Sequence, residues 1–261
     1  MNKVLVLRQC NKDLKSYGGF QHPSSGHVSA PDWNPKPECG SGLHGFLYGE
    51  GDGSLANYDP ENKWLVLSVD KDKIVDLSGK VKFPEGEVIF CGALAEAARY
   101  VYDNGGAGRA IIGITVTGGN SSTVTGGYYS TVTGGDGSTV SGGDDSTVSG
   151  GNSSKVTGGE DSAVTGGDGS TVSGGDRSTV TGGYGSKVTG GDGSTVSGGN
   201  SSKVTGGEDS TVTGGEKAML SLQHWDSKTD RVRQVTAYVG ENGIEAGKAY
   251  KLDENHQFVL A

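Results

Sequence analysis

Five residues in the first fifth of the chain have the chemistry of ligands or nucleophiles: Cys10, His22, His27, Cys39 and His44. Cys39 and His44 stand five apart, near the separation of zinc ligands, and a thiol with an imidazole is also the pairing of a cysteine nucleophile. No Cys-x-x-Cys supports them, and structural zinc takes four donors. Cys39 and His44 are therefore only weak metal candidates, Cys10 and Cys91 read as core thiols, and Gly40 to Gly45 reads as a turn. Phosphate loops, serine-nucleophile elbows and paired carboxylates do not appear elsewhere. The expectation is a protein that is not an enzyme and has no cofactor.

A larger set of side chains is defined by spacing. From Thr115 to Gly215 valine returns every eight residues, at Val116, Val124, Val132 and on to Val212, each time followed two residues later by Gly-Gly. Serine keeps its own register from Ser122 to Ser210. A flexible Gly/Ser linker has no reason to hold valine in phase for so long. In a strand successive side chains point to opposite faces, so Ser122 and Val124 share one face while Thr123 and Thr125 share the other. Each unit is a short strand plus a corner, with Gly-Gly expected to supply positive-φ freedom. One valine per unit cannot make a core, but stacked copies close one. The fold expected is mainly β: a parallel β-solenoid.

Eight residues are too few to circle a core, which leaves coils of sixteen or twenty-four. Lys155, Lys187 and Lys203 replace the first Thr at separations of 32 and 16, so sixteen-residue coils gather them on one side. About six coils follow. The opposite side carries no charge and presents Thr115, Thr117, Thr131, Thr133, Thr147, Thr165, Thr179, Thr181, Thr195, Thr211 and Thr213. Residues i and i+2 lie about 6.5 to 7 Å apart and neighbouring strands about 4.8 Å, so this side forms a two-column grid of hydroxyls and methyls. Calcium-binding β-rolls repeat every nine residues. Here the period is eight, and the position after Gly-Gly varies among Asp136, Asp144, Asn152, Glu160, Asp168 and Tyr184, so the acidic turns read as solubilising charges.

The flanks bound the solenoid at 111–217. Residues 1–110 read as an α+β head, with strands at Val4 to Leu7, Trp64 to Val69, Ile74 to Leu77 and Val88 to Phe90, and a helix over Ala93 to Tyr102. Residues 218–261 read as a small β cap for strand edges that otherwise aggregate. The chain has 261 residues, 22 basic against 31 acidic, for a net charge of −9, and no basic run, which argues against nucleic acid. No stretch reaches the apolar length of a membrane span, and no signal peptide is evident at Met1 to Arg8.

The octads Gly183-Tyr184-Gly185-Ser186-Lys187-Val188-Thr189 and Gly135-Asp136-Gly137-Ser138-Thr139-Val140-Ser141 resemble the repeats of bacterial ice-nucleation proteins. Ser16-Tyr17-Gly18-Gly19-Phe20, Pro31-Asp32-Trp33 and Glu38 to Gly45 resemble an uncharacterised domain of phage and bacterial proteins. The first resemblance implies that the outward threonines order water into an ice-like layer, making ice or ordered water the partner, with self-association as an accessory. The second brings no activity and fits a cytoplasmic or virion-associated protein. The alternative is a phage or cell-surface structural protein using the solenoid as a rigid spacer or oligomerisation rod.

Overall fold

The computed structural model describes residues 2–261. The chain divides into two compact units: one holds the described residues up to Thr115 together with Gly126–Tyr128, the other Val116–Thr125 and Tyr129–Ala261.

The first unit is a seven-stranded antiparallel sheet whose centre is an apolar pair, β1 (Lys3–Cys10) and β4 (Lys63–Asp70), in register from Lys3↔Asp70 to Cys10↔Lys63. With β2 (Gly26–Ser29), β3 (Leu43–Leu47), β5 (Val75–Asp76), β6 (Val81–Phe83) and β7 (Glu85–Gly92) the order is β2-β7-β4-β1-β3-β6-β5. Val6, Leu65, Leu67, Val69, Phe83 and Val88 fill one core, which also takes the Cys10 thiol, with Cys91 packed partly buried against it. Helix α1 (Leu94–Val101) packs on β1, β4 and β7 through Ala97, Ala98 and Val101. Glu96 accepts from the Ala93 N–H at 2.9 Å to start it, and Gly105 at φ +111° lies in the turn that ends it.

The Gly40-to-Gly45 turn holds only at its beginning. Leu43–Leu47 is a strand paired with β1, and Gly45 permits this, because a Cβ there would stand 2.5 Å from Val6 Cγ1 and 2.7 Å from the Leu7 carbonyl.

In the second unit the repeat triplets form thirteen strands, β8 (Thr115–Thr117) through β20 (Thr211–Gly214). Each pairs in parallel with the strand sixteen residues away. One sheet stacks Val132↔Val148↔Val164↔Val180↔Val196↔Val212, the other Val124↔Val140↔Val156↔Val172↔Val188↔Val204. This is the sixteen-residue coil that the lysine spacing implied. Strand β21 (Met219–Asp226) continues the second sheet in parallel, Lys203↔Met219, with Leu220 in the valine position. Each sheet therefore has seven rungs. The extra rung escapes the repeat pattern because Ala218-Met219-Leu220 has none of its letters. Antiparallel strands close both stacks: β22 (Arg231–Tyr238) on β21, β23 (Ala249–Leu252) on β20, and β24 (Phe258–Leu260) on β23.

Between the sheets, the valines from Val132 to Val212 are fully buried, and so is the serine column from Ser130 to Ser210. Buried hydroxyls need partners, and the coil spacing provides them. Ser162 Oγ accepts from the Ser146 N–H at 3.2 Å and donates to the Gly143 carbonyl at 3.1 Å, and Ser154, Ser170, Ser178 and Ser194 keep much the same pattern.

Two expectations about the corners are corrected. The Gly-Gly pairs do not carry the positive φ; it falls two residues later, at Ser121, Gly137, Asp145, Ser153, Asp161, Gly169, Arg177 and their equivalents. The pair is needed for close approach instead. A Cβ on Gly166 would stand 2.5 Å from Val172 Cγ2, and one on Gly151 would stand 2.7 Å from the Asp136 backbone nitrogen. The residues after Gly-Gly are also more than solubilising charges. The Oδ1 of Asn120, Asp136, Asp144, Asn152, Asp168, Asp176, Asp192 and Asn200 accepts the backbone N–H sixteen residues on, at 2.7 to 3.0 Å.

Candidate functional site

Alternation along each rung decides what faces out. On the first sheet the outward columns are Thr115, Thr131, Thr147, Ala163, Thr179, Thr195, Thr211 and Thr117, Thr133, Ser149, Thr165, Thr181, Ser197, Thr213. The first column is exposed except at Thr211, which is half-buried beside the closing strands. In the second, Thr117, Thr165 and Thr181 are exposed, and Thr133, Ser149, Ser197 and Thr213 are half-buried. All eleven threonines singled out in the sequence thus lie on one sheet. The alanine removes one hydroxyl at mid-stack.

Hydroxyls in the second column bond along the stack. Ser149 Oγ donates to Thr133 Oγ1 at 3.2 Å, and Thr181 Oγ1 and Ser197 Oγ are 3.2 Å apart. This was not readable from composition; serines in phase with threonines sixteen residues away were the available signal. On the seven rungs no outward residue of this sheet is charged, and charge returns at Lys251 on β23, beside the inward Tyr250. The other sheet presents Thr123, Thr139, Lys155, Thr171, Lys187, Lys203 and Met219. Arg177 is held at a turn by Asp161 at 2.7 Å and Glu160 at 3.1 Å, which keep its guanidinium pKa above the ordinary value. Chemically, the uncharged sheet presents a ladder of methyls and hydroxyls at strand spacing.

The cysteines and histidines of the head do not converge as a ligand set, and among the described residues no group of three His, Cys, Asp or Glu side chains is placed to hold a metal. Cys39 is exposed and its Sγ accepts from Lys80 Nζ at 3.2 Å; His44 Nε2 accepts from the Gly40 N–H at 3.4 Å. Burial, then Lys80, Arg8 and Lys82, push the His44 pKa down to about 4, so a metal cation there meets three cations first. His22 is buried and accepts from Arg8 Nε at 3.2 Å; burial and then Arg8 push its pKa down to about 4. His27 lies 3.8 Å from Glu85 at the surface. Burial raises the thiol pKa of both Cys10 and Cys91.

Comparison with known proteins separates the same two regions. Residues 4–99 match a family described as a domain of unknown function, DUF7666. The repeat region is similar to ice nucleation proteins. It is 32% identical over 102 residues to ice nucleation protein InaU of Pantoea ananas, covering 38% of this chain and 10% of that protein. Against the ice nucleation protein of Pseudomonas fluorescens it is 34% identical over 104 residues, covering 39% of this chain and 9% of that one. The chain thus spans about a tenth of the length of these relatives. No solved structure matches. The chain combines an ice-nucleation-like repeat, folded as a parallel β-solenoid, with an N-terminal domain of unknown function.

Proposed function

We propose that the protein binds ice or ordered water through the uncharged sheet, at Thr115, Thr117, Thr131, Thr133, Thr147, Thr165, Thr179, Thr181, Thr195, Thr211 and Thr213. One observation carries the reading: every outward lysine of the repeats stands on the other sheet, while this one is uncharged over seven rungs and carries a hydroxyl at every outward position but Ala163. A hydroxyl both donates and accepts, and ordered first-shell water bonds nearly as well as a protein partner. A lysine in the grid would instead hold its own strongly hydrated shell. The names of the relatives support the same partner. Self-association would widen the grid.

The test is ice shaping or thermal hysteresis by the full chain. Replacing Thr131, Thr147 and Thr179 with Lys abolishes activity, whereas Thr139 and Thr171 to Lys, on the sheet that already carries lysines, leaves it largely intact. Both sets alter exposed side chains, so melting moves little. Equal loss from both sets would mean that the sidedness is accidental. No ice activity in the unaltered protein would favour the rigid-spacer alternative.

A further inference from the structure

Arg8, in the central strand of the head, is 8% exposed. Its guanidinium donates from Nε to His22 Nε2 and from Nη1 to the His44 carbonyl and also bonds the sulfur of Cys10, whose thiol burial keeps protonated, so all three partners are neutral. Arginine brings five N–H donors and a permanent charge, and burying a charge without a counter-charge is costly. Lys82, 1% exposed, repeats the anomaly: its Nζ donates to the carbonyls of Glu38 at 2.8 Å and Gly40 at 3.4 Å, and stands 5.8 Å from the Trp33 ring centroid. Nearby, Lys80 Nζ donates to the Cys39 sulfur at 3.2 Å. Among the described residues none of these three cations forms an ion pair.

Arg8 and Lys80 line a cavity of about 620 Å³ in the head, with Tyr17, Phe20, Phe46 and Leu55 among its apolar walls. That volume suits a small organic ligand. Tyr17 is fully exposed and Leu55 half-exposed, an apolar rim that the core does not use. Asp32 is the carboxylate among the lining residues and is itself exposed. His44 also lines the cavity and is neutral at pH 7, so it adds a hydrogen-bonding ring without charge.

We propose that this cavity binds a phosphate monoester carried on a flat ring, with the phosphate between Arg8 and Lys80 and the ring against Tyr17 and Phe20. Two cations suit a dianion, and the guanidinium fork matches phosphate oxygens. The aromatic wall supplies the area that an inorganic anion leaves bare. The proposal stands apart from ice binding, which uses the other unit.

Phenyl phosphate titrated into the full chain at pH 7 and low salt, followed by calorimetry, tests it. Saturable one-to-one binding is expected, with inorganic phosphate and benzyl alcohol each at least about tenfold weaker, since each lacks one half of the recognition. Bound phenyl phosphate slows alkylation of Cys39, the exposed thiol in the lining, by iodoacetamide. Replacing Arg8 disturbs the buried contact with His22, so the informative variants are Lys80→Ala and Tyr17→Ala, each weakening binding about tenfold with an unchanged melting curve. Three results overturn the proposal: no saturation at millimolar phenyl phosphate, affinity unchanged in both variants, or benzyl alcohol binding as tightly.

Discussion

The glycine pairs give the sharpest test of how the rod is built, because the two roles of glycine in it fall at different positions. Gly166 opens a pair in mid-stack; a Cβ there would stand 2.5 Å from Val172 Cγ2 and 2.9 Å from Ser170 Cβ. Carbon atoms prefer about 3.5 to 4.0 Å, so Gly166→Ala drives a methyl roughly 1 Å into a valine pinned between Val156 and Val188. Overpacking of this kind costs about 1 to 3 kcal/mol, and the crowding places Gly166 toward the upper end. Gly169 has φ +64° and its nearest neighbour, Ser153 Oγ, would stand 3.7 Å from an added Cβ. Equivalent positions hold Asp145 at +53° and Asp161 at +52°, so Gly169→Asp costs about 1 kcal/mol or less, the left-handed penalty being partly offset by a stiffer unfolded chain. For a chain of this size Gly166→Ala lowers the melting midpoint by roughly 5 to 10 °C and Gly169→Asp by about 3 °C or less, measured by circular dichroism of the β signal. If Gly169→Asp proves the more damaging, the pairs serve conformation, and the close-approach reading is wrong.

Val164→Asp at mid-rod buries an unpaired carboxylate at a position with no exposure, costing several kcal/mol; the β signal is lost or melts far earlier, and an unchanged melt contradicts a packed interior. Ser178→Ala leaves the buried Ser162 N–H without its 3.3 Å acceptor and costs about 1 to 3 kcal/mol, whereas Thr165→Ala, on the exposed face, shifts melting within about 0.5 kcal/mol. In the head, His22 and His44 have pKa values depressed from 6.5 to about 4. The unfolded chain then binds more protons than the folded one between these values. Stability is full above pH 6.5 and falls as pH drops toward 4, by on the order of 3 kcal/mol from buried His22 alone. Denaturant titrations followed by tryptophan fluorescence at pH 7 and 4.5 check this, and equal midpoints contradict it.

What the sequence revealed of the solenoid is what recurs: valine and serine in phase, and lysines whose spacing chose the sixteen-residue coil. Its corners were opaque because their partners lie one coil away. Asp136, Asn152, Glu160 and Tyr184 look inconsistent as charges, yet every Asn or Asp from Asn120 to Asn200 in that position offers an Oδ1 at the same reach, and the longer Glu160 does not take up the bond. The glycine pair misled for a related reason. Glycine signals either a special φ or a missing Cβ, and only the neighbouring coil shows which. In the head, the strand from Trp64 to Val69 and the helix over Ala93 to Tyr102 were legible from local pattern, the helix running from Leu94 to Val101. Strand β3 was hidden by Gly45, and the cationic cavity by the distance in sequence between Arg8 and Lys80, which line one wall only once the chain folds.

The dimensions of the threonine ladder bear on the kind of ice activity it can support under the proposed reading. Seven rungs at about 4.8 Å span about 29 Å, and two columns are about 7 Å wide. A critical ice embryo at mild supercooling is larger than such a strip, so one molecule adsorbs to existing ice rather than starting it. Lengthening the strip by end-to-end stacking is blocked at one end, because β23 meets β20 antiparallel, turns Tyr250 inward and places Lys251 outward. A further coil added there would continue neither column in register. The relatives are about ten times as long as the stretch they share with this chain, and so have room for far more rungs. Here a larger template requires strips side by side, with the uncharged sheets of several molecules sharing one plane. Any nucleation should therefore rise steeply with protein concentration, while ice shaping persists at dilution, and freezing-droplet assays over a concentration series separate the two.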